Sequence, residues 1–161
     1  MWTLIRATTY ATLFIGLVLV FLPWRFVAWS GITPIPSIGI FQVAGAALSI
    51  VGAAIALWCI FTFVFVGKGT PAPFDPPRRL VVRGPYRFVR NPMYIGAALA
   101  LAGAALFYKS TPILIYVVLF ALITHLFVVL YEEPTLTRTF GEDYQLYRKQ
   151  VGRWWPNLRL H

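Results

Sequence analysis

The sequence predicts an all-α integral membrane protein with about four transmembrane helices. Of its 161 residues, 59% are hydrophobic and only 12% are charged, a composition too apolar for an ordinary soluble domain. The apolar residues fall into four runs, which cover residues 4–22, 38–66, 92–107 and 113–131. We therefore expect a single membrane domain over residues 1–161, with charge concentrated between and after these runs.

The first two runs differ in length. Residues 4–22 give 19 positions with one early arginine, Arg6, which can extend to the membrane interface. A signal peptide is the alternative for this segment, but no small-x-small cleavage site follows before Pro23. Residues 38–66 would form a helix about 43 Å long, more than a hydrocarbon core of roughly 30 Å, so this helix must tilt or project.

Small residues recur at three- and four-residue spacing in the second and third spans. Such spacing lets helix backbones approach closely in lipid, so these positions predict a helix–helix interface. The third and fourth spans, joined by a tight turn over residues 108–112, are expected to form an antiparallel hairpin. The small residues concerned are Gly45, Ser49, Gly52, Ala53 and Ala56 in the second span and Gly96, Ala100 and Ala104 in the third.

A Pro- and Arg-rich connection covers residues 67–91, which is long for a compact membrane bundle. It ends at Asn91-Pro92, where a good N-cap residue precedes a proline that only the first turn of a helix tolerates. A helix is therefore expected to begin at Pro92, with its free N–H groups suited to an anionic group. On local sequence alone, the simpler interpretation of Asn91 as a cap and nothing more is favoured.

The last segment, residues 132–161, predicts short interfacial helices. Pro134 permits a new helix start and Gly141 a break. An apolar side is expected to lie on the lipid headgroups. It is formed by Tyr144, Tyr147, Val151, Trp154 and Trp155.

The distribution of basic residues predicts the orientation. If the N-terminus is cytoplasmic, twelve of the fourteen Lys and Arg residues lie on that side, and only Arg25 and Lys109 lie outside. This asymmetry follows the positive-inside rule, so we expect both termini and both polar segments on the cytoplasmic side. Location thus explains the net charge of +9 better than nucleic-acid binding, for which no motif is present.

Metal binding is not expected. The chain has one cysteine, Cys59, inside an apolar run, and only two histidines, His125 and His161. These are too few ligands for a zinc site, and a single cysteine excludes an intrachain disulfide.

Two motifs carry a family resemblance. The first is G-P-Y-R-F-V-R-N-P-M-Y-I-G from Gly84 to Gly96, and the second is E-E-P-T-L-T-R-T-F-G-E-D-Y from Glu132 to Tyr144. With a hydrophobic hairpin between them, they resemble the C-terminal catalytic half of the isoprenylcysteine carboxyl methyltransferase and phospholipid methyltransferase superfamily. The resemblance covers residues 78 to about 156. It implies a membrane enzyme that transfers a methyl group from S-adenosylmethionine, bound at the cytosolic face, to a lipid or lipophilic acceptor from the bilayer.

The resemblance also implies a set of cofactor-binding residues, so that residues 67–91 become a cofactor-binding loop. Glu132 suits the ammonium group of the cofactor, and Tyr86 and Tyr94 could face its sulfonium by cation–π attraction. The helix start at Asn91-Pro92 suits its carboxylate. The full set is Arg78, Arg79, Leu80, Val81, Tyr86, Asn91, Pro92, Met93, Tyr94 and Glu132.

The chain departs from the family pattern at two positions. Asn91 replaces the usual histidine, which removes any titratable role there. Val128 stands where carboxyl methyltransferases of this type are expected to hold the substrate carboxylate with an arginine. A prenylcysteine carboxylate would therefore lack its counter-ion, and the role of Glu133 is left undecided.

His125 is the candidate catalytic residue. It precedes Glu132 by seven residues, two turns along the same helix face, and is the one titratable side chain inside a predicted span. It could accept a proton from a neutral amine acceptor or orient the headgroup, and a purely structural bond to a neighbouring helix is the alternative.

Two other functions remain as alternatives. Sterol reductases resemble the same C-terminal arrangement but bind NADPH, so a membrane reductase is the first. The second is a non-catalytic lipid-binding protein that has kept the fold.

Overall fold

Helices make up the described part of the chain. The computed structural model describes residues 38–67 and 79–157, together with the isolated positions 17, 21, 23, 25 and 28. Over these ranges there is no strand, only an isolated parallel bridge between Val89 and Gly152, so the all-α prediction is confirmed. The predicted first span, residues 4–22, lies outside the described residues except for two positions.

Four α-helices follow one another within residues 38–67 and 79–157, and each of the first three begins close to its predicted start. The helices are α1 (Ile40–Thr62), α2 (Pro92–Tyr108), α3 (Thr111–Phe127) and α4 (Glu133–Gln150). Shorter elements complete the order: a π-helical turn after α1 (Phe63–Gly67), a 3₁₀ turn (Gly84–Arg87) and a second π-helical turn after α3 (Val128–Glu132).

Helices α1 and α2 pack antiparallel with their backbones in contact. A Cβ added at Gly52 would meet the backbone of Ala100 and Gly96, and one added at Gly45 would meet Phe107. Backbones can approach this closely only where a side chain is missing, which confirms the interface predicted from the small residues. Ala53 is an exception, because its side chain is exposed.

Polar side chains of α1 hydrogen-bond to α2 at two positions along the interface. Gln42 is 2% exposed and donates from Nε2 to the Phe107 carbonyl at 3.2 Å, while its Oε1 accepts from the Gly39 N–H at 3.1 Å. Ser49 donates to the Ala100 carbonyl at 3.1 Å. The bonds from Gln42 and Ser49 satisfy carbonyls of α2, so they fix the axial position of α2 against α1.

The turn between α2 and α3 is tight. Lys109 adopts a left-handed conformation with φ 48°, and the Ser110 side chain caps α3 by accepting from the Ile113 N–H at 3.4 Å. The predicted hairpin of the third and fourth spans is therefore present as α2 and α3, in contact around Leu101 and Phe120.

The outer face of α3 is apolar and uncovered by any described residue. A patch of this size is exceptional on a soluble protein and suits contact with lipid chains. Its exposed side chains are Leu114, Ile115, Val118, Leu119, Leu122, Ile123 and Leu126, and Leu130 of the following π-helical turn is also exposed.

Two described helices are long and apolar enough to cross a bilayer. They are α1 and the continuous helical run that starts at Thr111 and ends at Gln150, while α2 is a shorter apolar helix. Together with the exposed face of α3, they indicate membrane association. Four spans and the orientation of the termini stay predictions.

The C-terminal helix corrects one prediction. The break at Gly141 is present, with φ 52°, but Tyr144, Tyr147 and Val151 do not face the headgroups. They are 2–7% exposed and form a buried cluster against which Leu80 packs. Their apolar side covers the loop before α2 instead of lipid, and only Trp155, 82% exposed, projects freely.

Candidate functional site

The two polar segments meet at one end of the helices. The Arg90 N–H donates to the Gly152 carbonyl at 2.9 Å beside the Val89–Gly152 bridge. The Tyr147 hydroxyl donates to the Tyr86 carbonyl. Residues more than 60 positions apart are thus joined by hydrogen bonds, and the first turn of α2 lies beside the start of α4.

Glu133 is the centre of an ion-pair cluster at this junction. Arg153 binds it in a bidentate manner, with Nε 2.7 Å from Oε1 and Nη2 3.0 Å from Oε2. Arg90 Nη1 lies 2.8 Å from Oε1, and Arg148 Nη2 lies 3.5 Å from Oε2. The Glu133 side chain is 6% exposed and that of Arg90 is 9% exposed, so this pair is buried and its charges depend on each other.

Glu132 precedes Glu133 and has different surroundings. Its Oε2 accepts from the Tyr94 hydroxyl at 3.3 Å, and no basic side chain pairs with it among the residues that the structure describes. Tyr94 comes from the first turn of α2, so this contact joins the two motifs. The Glu132 carboxylate is therefore partly exposed, accepts one hydrogen bond from a neutral hydroxyl, and has no positive charge paired with it among the described residues.

The pKa values of the two carboxyls shift in opposite directions. Burial raises the pKa of Glu132 to about 7, with the Tyr94 hydrogen bond opposing the rise and the Glu133 charge adding to it. Burial also acts to raise the pKa of Glu133, but the Arg153 hydrogen bonds and the charges of Arg90, Arg153 and Arg148 outweigh it, so that pKa is lowered. Near neutral pH, Glu133 is ionised and Glu132 is close to its titration midpoint.

The start of α2 was predicted correctly, but Asn91 acts differently from a cap. The helix begins at Pro92, and Asn91 occupies the N-cap position without any side-chain cap bond. Its Nδ2 instead donates to the Arg153 carbonyl at 3.2 Å, and the residue is 6% exposed. Asn91 therefore ties the first motif to the C-terminal segment, which leaves the N–H groups of Met93 and Tyr94 uncapped by it.

The other predicted cofactor residues are distributed around this junction. Val81 and Tyr86 are buried with Cys59, Met93 packs against the same cluster, and Pro92 is also buried. The Tyr86 ring meets Phe63 edge-on, with ring centres 5.1 Å apart. Leu80 packs on the C-terminal tyrosines, Arg79 is exposed, and Arg78 lies outside the described residues.

Most of the described chain matches one known protein family. The profile of the phospholipid methyltransferase family matches residues 40–143, from the start of α1 into α4. The chain belongs to that family. The resemblance drawn from the two motifs is therefore confirmed, and the Tyr94–Glu132 contact lies inside the matched region.

One characterised relative is similar over a shorter stretch. The methanethiol S-methyltransferase of Pseudomonas deceptionensis is 34% identical over 77 residues, which cover 46% of this chain and 27% of that protein. The match thus spans about a quarter of the relative's length. No solved structure matches the chain.

In this family member, His125 has a defined partner. Trp154 Nε1 donates to His125 Nδ1 at 3.0 Å, and the two ring centres are 6.1 Å apart. The π-helical turn Val128–Glu132 interrupts the regular spacing on which a shared face with Glu132 was expected. His125 is exposed, whereas Glu132 is partly covered and bonded to Tyr94.

Sequence reasoning missed the arginine cluster. Arg90 was counted only as one of several loop arginines, and Arg153 was not singled out. In the sequence, Arg90 and Arg153 each lie close to aromatic residues, which was the available indication. Their shared contact with Glu133 depends on the bridge between Val89 and Gly152, 63 residues apart. Among the described residues, no group of His, Cys, Asp and Glu could hold a metal ion.

Proposed function

We propose that this protein transfers a methyl group from S-adenosylmethionine to an uncharged, lipophilic acceptor at the membrane. The observation that supports this best is Glu132, a carboxylate without a basic partner among the described residues, held by Tyr94 in a chain of the phospholipid methyltransferase family. An unpaired carboxylate beside an aromatic ring is suited to a cation, and the amino group and sulfonium of this cofactor are both cationic.

The residues present fit the cofactor at three points. Glu132 would hold the ammonium group, and the first-turn N–H groups of α2, at Met93 and Tyr94, would hold the carboxylate at the positive end of the helix dipole. Tyr94 would lie against the sulfonium. Tyr86 is better suited to supporting the turn, because its ring is buried and packs against Phe63.

When bound, S-adenosylmethionine supplies an electrophilic methyl group. The protein then has to align the acceptor and exclude water, since transfer needs no covalent nucleophile of its own. The buried cluster of Val81, Tyr86 and Met93 beside Tyr94 supports a water-poor setting on one side. The exposed apolar face of α3 supports delivery of the acceptor from lipid.

The acceptor is proposed to lack a carboxylate. Val128, at the position where an arginine would hold such a group, is 1% exposed and belongs to the apolar interior. An apolar side chain at position 128 cannot supply a counter-ion to a substrate carboxylate. A small apolar thiol is a second candidate acceptor, because the relative from Pseudomonas deceptionensis is named a methanethiol S-methyltransferase.

His125 is proposed to orient the acceptor rather than accept its proton. Because Trp154 donates to Nδ1, a neutral His125 ring carries its own proton on Nε2. Nδ1, which carries the lone pair, therefore already accepts a hydrogen bond from Trp154, and Nε2 can only donate one. A donor at the exposed end of α3 could bind an acceptor oxygen, nitrogen or sulfur.

Two measurements test the proposed function. Calorimetry on the purified protein in micelles should show binding of S-adenosylmethionine and no binding of NADPH; the reverse result would favour the reductase alternative. Mass spectrometry after incubation with a labelled methyl donor, with bilayer lipids in one arm and methanethiol in the other, should find the label in one product. Cofactor binding without a labelled product in either arm, or in a wider lipid extract, would favour a non-catalytic lipid-binding protein.

A further inference from the structure

Three arginines contact Glu133, whereas none contacts Glu132, the residue directly before it, among the residues that the structure describes. Arg90 and Arg153 together make three contacts of 3.0 Å or less with Glu133, and Arg148 adds a longer one. The cluster therefore has more positive than negative charge. Buried Arg90 Nε has no hydrogen-bond partner, so this guanidinium retains a donor that Glu133 does not use.

A guanidinium on Glu132 would compete with any cationic ligand. Arginine binds carboxylates in a bidentate manner, and such a pair inside a protein is stronger than one with an exposed ammonium group. Glu132 has no such partner among the described residues, and Arg90, Arg148 and Arg153 are bonded to another carboxylate. The carboxylate that bonds them is Glu133.

We propose that Glu133 is a positioning residue that retains Arg90 and Arg153 and so leaves Glu132 unpaired for the cationic amino group of the methyl donor. This inference rests on the proposed function and extends it to a residue that does not touch the cofactor. Glu133 acts through charge, so a variant of the same shape without the charge should lose the effect.

The test compares two probes that differ in the amino acid part. S-adenosylhomocysteine carries the ammonium group, whereas 5′-methylthioadenosine lacks the whole amino acid part. In E133Q, the released arginines should pair with Glu132, so affinity for S-adenosylhomocysteine should fall about ten-fold, the effect of one charge-assisted hydrogen bond. Affinity for 5′-methylthioadenosine should not change.

Second-site variants separate positioning from general damage. Removing one competing arginine in E133Q/R153Q should restore most of the affinity for S-adenosylhomocysteine. E133D, which keeps the charge, should stay within about three-fold of wild type. If Glu133 instead supports the fold in general, E133Q should weaken both probes, and E133Q/R153Q should be worse still, which would overturn the inference.

The remaining outcomes are also decisive. Wild-type protein that binds neither probe would overturn the proposed function and this inference with it, whereas binding that is unchanged in E133Q would overturn the inference alone. If E133Q does not fold, R153Q serves, because Arg153 is 30% exposed. Wild-type affinity for S-adenosylhomocysteine in R153Q supports the inference, and a ten-fold loss would make Arg153 a ligand and contradict it.

Discussion

Glu132 and Glu133 are chemically identical neighbours with opposite environments. Glu133 faces Arg90, Arg148 and Arg153, while Glu132 faces Tyr94 on α2. Successive residues on a helix point about 100° apart, so one carboxylate reaches the C-terminal segment and the other reaches the hairpin. Two adjacent carboxyls therefore have separate surroundings, with three arginines at Glu133 and the Tyr94 hydroxyl at Glu132.

The largest expected difference between the two glutamates is in stability at pH 8. E133Q should lower the free energy of unfolding by about 3–5 kcal/mol, because it breaks the buried ion pair between Glu133 and Arg90. E132Q should instead raise it by up to roughly 3 kcal/mol, because it removes a carboxylate whose pKa is about 7 in the folded protein, above its ordinary value.

The sign of each stability effect follows from the pKa shifts. The raised pKa of Glu132 means that the native state loses stability as pH rises from about 4.5 to about 7, so the gain in E132Q should vanish near pH 4.5. The lowered pKa of Glu133 contributes stability above its ordinary pKa and loses it as pH falls. Thermal unfolding of E132Q and E133Q in micelles at pH 8 and near pH 4.5 measures these changes in stability. Changes of the same sign in the two variants at pH 8 would contradict the opposite roles of the two carboxyls.

The next largest effect is on cofactor binding. E132A should weaken binding of S-adenosylmethionine about 10- to 100-fold while the protein stays folded, because one charge-assisted hydrogen bond is lost. E142A is the matched control, because Glu142 is an exposed acidic residue on the same helix. Calorimetry on both variants measures the difference, and equal affinity in E132A and E142A would remove Glu132 from the site.

The pH dependence of binding should report the same carboxyl. Glu132 must be ionised to hold an ammonium group, and with a pKa of about 7 its ionised fraction rises about ten-fold between pH 6 and pH 8. Affinity for S-adenosylhomocysteine should rise by the same factor. Tyr86, Tyr144 and Glu133 also lie near Glu132; burial raises the pKa values of the two tyrosines and the arginines lower that of Glu133, so these three groups do not titrate in this range. A flat profile would show that another group holds the amino group.

The smallest expected effect is at His125, which belongs to neither carboxylate environment. H125A should lower turnover roughly five-fold, about 1 kcal/mol, with unchanged affinity for the methyl donor, because one hydrogen bond to the acceptor is lost. W154F removes the donor to Nδ1 and should have a smaller effect of the same kind. Normal turnover in H125A would leave His125 a purely structural role.

Much of the fold could be predicted because local physics decides it. Pro92 starts α2, Gly141 breaks α4, and the spacing of Gly45, Gly52 and Gly96 marks the α1–α2 interface. These features depend on backbone geometry or on the absence of a side chain, both of which are visible in the sequence.

The rest of the site could not be predicted because it depends on long-range partners. Asn91 occupies the N-cap position of α2, but its side chain donates to the Arg153 carbonyl and makes no cap bond. Tyr144 and Tyr147 look suited to the membrane interface until Leu80 covers them. The pairing of Glu133 with Arg153 requires the chain to return across α4, which no local pattern encodes.

The contact between the backbones of α1 and α2 also fixes the position of residues along the axis of α2. Tyr94 sits at one end of α2, and Gly103 meets the Gly45 carbonyl nine residues, about 13 Å, further along. A methyl group added at Gly103 would push α2 away from α1. We expect this shift to move the Tyr94 hydroxyl away from Glu132. The contact between Tyr94 and Glu132 therefore depends on a stretch of the chain that contains no charge at all.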